Sequence, residues 1–218
     1  MSTVRFAKRE SILLAAKRIF LLHGYAGASM EAIAEAAPVA KATLYSHFEG
    51  KQDLFAAVIS LQCEALLNTL AWAHTEVRDP VAALTAIARA FVDLIYSEDA
   101  LTLYRVIIGE QLHFPELGGR VYRSGPEPVL RRLSAYLEDL SVQKVLAIPD
   151  VGVSARLFLG MLKGDEHFRC LLGQKEGLSE AEKISLVGAA VDLFLRGHGY
   201  AESLCASGPA FGAEGKRG

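Results

Sequence analysis

Apolar positions recur at three- and four-residue intervals along most of the chain. No alternating stretch longer than four residues and no internal repeat interrupts that rhythm, so the pattern predicts an all-α protein. Ile12, Ala16, Ile19 and Phe20 form a helical stripe from about Lys8 to His23, which Gly24 ends in the manner of a C-terminal cap. Ser29 is placed to cap a second helix, with Glu31 favourably in its first turn. Leu44 and Phe48 stand four apart within Ala40–Phe48 and share one face of a short third helix, which leaves Lys41, Ala42, Tyr45 and Ser46 on the other. Gly50 caps a fourth helix with Asp53 in its first turn. It runs to about His74 through Leu54, Phe55, Val58, Leu61 and Leu66, long enough to tie a small head to the rest of the chain.

The same reading carries through residues 79–198. Asp79-Pro80 is a cap followed by proline at the first helical position and opens a helix to about Tyr96. Further helices span roughly Asp99–His113 and Glu127–Val142, with a short piece and a turn punctuated by Pro115, Gly118, Gly119, Gly125 and Pro126. Asp150 caps a long helix to Leu172, interrupted by Gly160 and Gly164, and Ser179–Glu182 has the capping-box pattern that opens a last helix ending near Gly197. Residues 201–218, rich in Gly, Ala and Ser, are expected to be disordered.

Composition narrows the class. A hydrophobic fraction of 51% suffices for a buried core, no apolar run approaches the roughly 18 residues of a bilayer span, and the N-terminus lacks the apolar core of a signal peptide. Cys63, Cys170 and Cys205 are far apart, which suits a reducing cytoplasm and offers neither a disulfide framework nor a metal-ligand spacing. The net charge of −2 hides an asymmetry: residues 1–51 hold seven Lys and Arg against four Glu, +3, leaving −5 for the remainder. A basic head on an acidic body fits a protein that touches nucleic acid at one end. Arg5, Lys8 and Arg9 read either as an arm on DNA phosphates or as solvated terminal charges.

The third helix is too short to stand alone and must dock through its inner face. Its outer face carries a cation, an aromatic hydroxyl and small residues, a combination that suits insertion into a DNA major groove, although these few residues taken alone fit an ordinary solvated helix better. Lys51 at the start of the fourth helix, beside that helix's N-terminus, makes a natural phosphate clamp. The six histidines show no paired metal spacing, and no nucleophile–base signature or phosphate-cradling glycine loop occurs. The residues therefore point away from an enzyme, a cofactor or a metal site.

Residues 12–58 strongly resemble the DNA-binding domain of the TetR family of bacterial transcriptional regulators, through AAKRIFLLHGY, SMEAIAEAA, KATLYSHF and GKQDLF at the family's spacing. Leu101–Tyr122 and Phe158–Gly173 resemble, more loosely, a C-terminal domain of one branch of that family. The resemblance implies a helix-turn-helix head over residues 8–54 and a ligand-binding and dimerisation body over residues 55–198. It also implies contacts to a palindromic operator from Ser29, Lys41, Ala42, Thr43, Tyr45, Ser46, His47 and Lys51, and a cytoplasmic homodimer paired through the last two long helices. A repressor released by a small molecule is the usual mode. Tyr45→Ala and Lys51→Ala are expected to weaken operator binding without unfolding the protein.

On the last helix Ile184, Val187, Ala190, Val191, Phe194 and Leu195 make a broad apolar face, with Gly188, Ala189 and Ala190 small enough for close helix approach. A ligand cavity in the body could be lined by Trp72, Tyr96, Tyr104, Arg105, Ile108, Gln111, Phe158, Met161 and His167, although aromatics and methionines at helical spacing are more often plain core. Arg105, inside the apolar run Leu101–Ile108, calls for an anionic partner such as Glu98, Glu110 or a ligand carboxylate.

Two residues depart from the family. Pro38 stands where glycine is usual in the turn, and Ala40 where a capping Ser or Thr is usual. Proline cannot follow glycine into left-handed backbone, so the turn should be built differently or the second helix end earlier. A lost capping hydroxyl typically costs about 1 kcal/mol. These two positions motivate the alternative of a non-catalytic protein-binding module that keeps the fold but has lost operator binding.

Overall fold

The computed structural model describes residues 2–76 and 79–200, with side chains from Phe6 onward and without that of Glu76. Arg5's side chain, Cys205 and the expected tail over 201–218 lie outside the described residues. The described residues form helices α1 (Ser2–Gly27), α2 (Met30–Ala36), α3 (Lys41–His47), α4 (Lys51–Glu76), α5 (Pro80–Ile95), α6 (Glu98–Glu110), α7 (Pro115–Ser124), α8 (Pro126–Val142), α9 (Val151–Leu171) and α10 (Glu180–Gly197), with no strand among them.

The caps account for most boundaries. The side chains of Ser29, Asp79, Ser97 and Asp150 each accept a hydrogen bond from a backbone N–H in the first turn that follows, and Ser179 and Glu182 form a reciprocal capping box. Gly24 does break α1, at φ +68, and Gly164 breaks α9, at φ +53. A side chain is strained at either φ, so glycine sets both bends. Gly160, by contrast, continues the helix. α1 begins at Ser2 rather than near Lys8, and the Arg9 guanidinium lies over the Phe48 ring, 5.5 Å from its centroid, so Arg9 is part of the folded head rather than a free arm.

Two hydrophobic cores meet along α4. The head core gathers Ile12, Phe20, Tyr25, Ile33, Leu44, Leu54 and Phe55, with the rings of Phe20, Tyr25 and Phe55 meeting edge-on or stacked. It is not closed within the first four helices, because Leu103 of α6 and Leu117 and Val121 of α7 complete it. The body core packs Leu66, Leu70 and Ala73 of α4 against α5, α8, α9 and α10. Over Lys51–Thr75, α4 is long enough and apolar enough to cross a membrane by length and composition. The sequence reading found no such run, because Gln, Glu and Asn interrupt it. The burial of Leu54, Phe55, Val58, Leu66 and Leu70 explains the apolarity: α4 serves two cores at once.

Candidate DNA-binding face and body cavity

The α2–turn–α3 unit is fixed from below. Leu44 and Phe48 are buried, so the outer face of α3 presents Lys41, Ala42, Tyr45 and Ser46 to solvent, with Thr43 and His47 at its edges. Tyr45 is 45% exposed, a large ring that the fold leaves uncovered. Lys41 pairs with Glu31 of α2 and lies 5.9 Å from the Tyr45 ring centroid. That fully exposed pair raises the lysine pKa and lowers that of the carboxylate, chiefly through their mutual hydrogen bond. An exposed pair of this kind contributes little stability. Ser46 Oγ donates to the Thr43 carbonyl at 2.7 Å, and Ser29 Oγ accepts from Ala32 N–H at 3.1 Å.

The turn is where sequence and backbone conflict. Ala37 ends α2, and Val39 N–H donates to the Ala34 carbonyl at 3.0 Å. That is the long-range bond of a Schellman motif, which places Pro38 at the position that usually holds glycine. Pro38 is drawn to φ +22, far from the roughly −65° its ring favours, and it has no N–H for the motif's second bond. The turn is therefore not rebuilt, contrary to the sequence expectation; it keeps a positive φ at a residue poorly suited to it. Ala40 caps α3 without a side-chain hydrogen bond.

Lys51 requires a correction. Its Nζ donates to the carbonyls of Tyr25, Ala26 and Ala28 at 2.8, 3.3 and 2.9 Å and lies 4.6 Å from the Tyr25 ring centroid. The ammonium is thus spent on carbonyls at the end of α1, and burial lowers its pKa. It locks the first helix to the fourth rather than reaching outward. Only the N-terminal backbone of α4 remains for a phosphate there. Lys51→Met should cost about 1–2 kcal/mol, the loss of charge-assisted bonds at a half-exposed site. Thermal unfolding of the variant would register this as a lowered Tm. An unchanged Tm would show that those bonds contribute nothing net.

The body holds an apolar cavity of about 360 Å³ where the two cores meet, within the range of small-molecule sites. α4 contributes Ile59, Gln62, Cys63 and Leu66, α5 Phe91, α6 Leu103, Tyr104 and Ile108, α7 Tyr122, and α9 Leu159 and Lys163. Burial pushes the Cys63 thiol up to about 11, so it lines the wall as an inert apolar group. Gly125, between α7 and α8, lets that corner close on α4: a Cβ there would stand 2.9 Å from Ile59 Cγ2 and 3.0 Å from Cys63 Sγ.

Of the expected cavity residues, Tyr104 and Ile108 line it and the others are placed elsewhere. Trp72 lies six residues past Leu66, hence on another face of α4, and is 48% exposed. Tyr96 donates its hydroxyl to the carbonyls of Lys163 and Leu162, at 2.6 and 3.3 Å, groups released by the bend at Gly164. Arg105 is exposed, and its partners are not carboxylates: it donates to the Cys170 and Leu171 carbonyls at 2.6 and 3.1 Å and so caps the end of α9. Gln111 is exposed just past α6. Phe158 belongs to the body core against Phe194, and Met161 packs beside that core. His167 is buried edge-on to the rings of Tyr96 and Tyr104, its Nε2 without a partner.

Of the apolar face expected on α10, Val187, Ala190, Val191, Phe194 and Leu195 enter the chain's own core, while Ile184 stays exposed. The face left uncovered is another one. On α9, Val153, Leu157, Gly160 and Gly164 follow one another at four-, three- and four-residue steps and are exposed. On α10, Leu186, Ala189 and Leu193 do so at three- and four-residue steps, with Leu193 fully in the solvent-facing set and Leu186 at its edge.

A helix-turn-helix head with an uncovered polar and aromatic face, seated on a helical body, defines a DNA-binding regulator. Residues 12–58 match the bacterial regulatory proteins of the tetR family, and residues 82–200, more than half of the chain, match the C-terminal domain of AefR-like transcriptional repressors. The chain belongs to the TetR family of transcriptional regulators. It is similar to the HTH-type transcriptional repressor BepR of Brucella suis biovar 1 (27% identical over 87% of this chain and 81% of that protein). It also resembles the HTH-type transcriptional activator FasR of Mycolicibacterium smegmatis (35% identical over 91 residues, 42% of each chain). Among solved structures, the flavonoid-responsive regulator FrrA superposes with a TM-score of 0.67 at 33% identity, covering 88% of this chain and 96% of that one.

Lys163, Gln62 and Tyr122 escaped the sequence reading. Lys163 alone left a signal, as the lone cation in FLGMLKG.

Proposed function

We propose that this chain is a cytoplasmic, homodimeric repressor that leaves a palindromic operator when a small molecule enters the body cavity. The observation that carries the reading is the α3 face, on which a fold with a sound inner seam at Leu44 and Phe48 leaves Tyr45 exposed among small and polar neighbours. Each subunit presents Lys41–His47 to a major groove, and the half-sites lie roughly 34–36 Å apart or a small multiple of that. Ser29, the α4 N-terminus and a Lys41 released from Glu31 supply phosphate contacts. The repressor-type similarity of the C-terminal domain supports the direction of regulation, and FrrA's being flavonoid-responsive supports a small-molecule signal.

The route from cavity to head runs through α4, whose first half belongs to the head core, and through α6. The helix α6 lines the cavity with Tyr104 and Ile108, while its Glu110 accepts from Ala26 N–H at 2.9 Å and its Asp99 pairs with Lys17. Ligand that displaces either helix changes the separation of the two heads and favours the dimer state that no longer matches the grooves. The domain division at residue 54 is functional in this reading, since the two cores share α4.

Tyr45→Ala should lower operator affinity by roughly 30-fold or more, the scale of one good contact of about 1–3 kcal/mol in each of the two subunits. Circular dichroism should stay unchanged. Undiminished affinity in anisotropy titrations would remove α3's outer face as the docking surface.

A further inference from the structure

We infer that the body cavity selects ligands that carry one anionic group on an apolar frame, and that Lys163 of α9 is the residue that selects them. The inference rests on the proposal that the cavity is the ligand site, and it names the class of molecule. Among the described residues, Lys163 is the sole charged one lining the cavity, and no Asp or Glu lines it. The Tyr104 ring centroid lies 5.8 Å from its Nζ. Burial lowers the pKa of this lysine, consistent with an ammonium that lacks a counter-charge.

Two other partly buried lysines of the body are treated differently. Lys175 is paired with Glu166 and Glu182, at 2.9 and 2.6 Å, and Lys183 with Asp93 and Glu180, at 2.8 and 3.2 Å. A half-buried ammonium beside an apolar hollow and without such a partner is costly to keep in the empty protein. A ligand carboxylate or comparable anion removes that cost and adds a charge-assisted hydrogen bond. The remaining walls, from Phe91, Leu66, Leu159 and their neighbours, offer hydrocarbon only, while Gln62, Tyr104 and Tyr122 supply neutral polar groups. A polyanion would find no second cation, and a cation would meet Lys163.

The test uses the full-length protein without DNA. The neutral fluorophore N-phenyl-1-naphthylamine reports the cavity, and dodecanoate and 1-dodecanol, which share a chain and differ in charge, compete for it. Dodecanoate should displace the dye from the wild type, and Lys163→Met should weaken dodecanoate at least tenfold while dye and dodecanol affinities change less than threefold. Lys163→Arg should restore most of the loss, and retained dye binding shows that the methionine variant is folded. An equal loss for dodecanoate and dodecanol, an unchanged dodecanoate affinity, or failure of dodecanoate to displace the dye from the wild type would each overturn the inference. Operator release is read separately by anisotropy. Dodecanoate that binds through Lys163 without releasing DNA would contradict the release mechanism and leave the charge selection standing.

Discussion

Leu157→Glu is expected to convert the protein to monomers at micromolar concentration and to lower operator affinity by roughly 10²–10⁴-fold, the factor that tethering two heads contributes. The side chain is 60% exposed, and Leu193 on α10 is 63% exposed, so a charge at either leaves the subunit's own core untouched. Exposed Leu and Val on adjacent helices, interleaved with Gly160, Gly164 and Ala189, form the kind of apolar, close-approach surface that pairs with a copy of itself across a two-fold axis. Sedimentation velocity would show the change of mass, and thermal unfolding would separate it from loss of fold. A variant that remained dimeric would move the interface away from this stripe. A monomer with undiminished operator affinity would contradict the two-headed reading.

Pro38→Gly is the second large effect, and its sign is stabilising. Glycine reaches positive φ without a ring constraint, and its N–H supplies the Schellman bond to the Glu35 carbonyl that proline lacks. Relief of backbone strain, about 1–3 kcal/mol, and one recovered hydrogen bond outweigh the greater freedom glycine gives the unfolded chain. The net gain should be about 1–3 kcal/mol in denaturant unfolding. A loss of stability instead would mean that Pro38 sits comfortably and that the turn differs from the Schellman geometry.

Most of the fold was legible because its determinants are local. Helix starts followed from Ser29, Asp79, Asp150 and the Ser179–Glu182 box, each of which acts within its own first turn. The inner seam of α3 followed from the spacing of Leu44 and Phe48 alone. The candidate sites were less legible wherever a side chain's partner comes from a distant element. Lys51 looked like a surface cation because nothing near it in sequence says that the end of α1 offers it three carbonyls. Arg105 looked buried because its neighbours in sequence are apolar, yet it is exposed and reaches the carbonyls at the end of α9. Tyr96, Phe158 and Met161 share the composition of cavity walls, and composition does not distinguish a wall from a core. On α10 the largest apolar face proved to be the internal one, which left the smaller stripe beside it for a partner.

The most direct test of the central claim is fluorescence anisotropy of the purified protein with DNA from upstream of its own gene, titrated with salt. A tight complex that random DNA of equal length does not match is expected, with affinity falling by roughly 10³-fold or more between about 50 and 200 mM salt as phosphate contacts release counterions. Equal affinity for upstream and random DNA, or no binding to either at low salt, would contradict that claim.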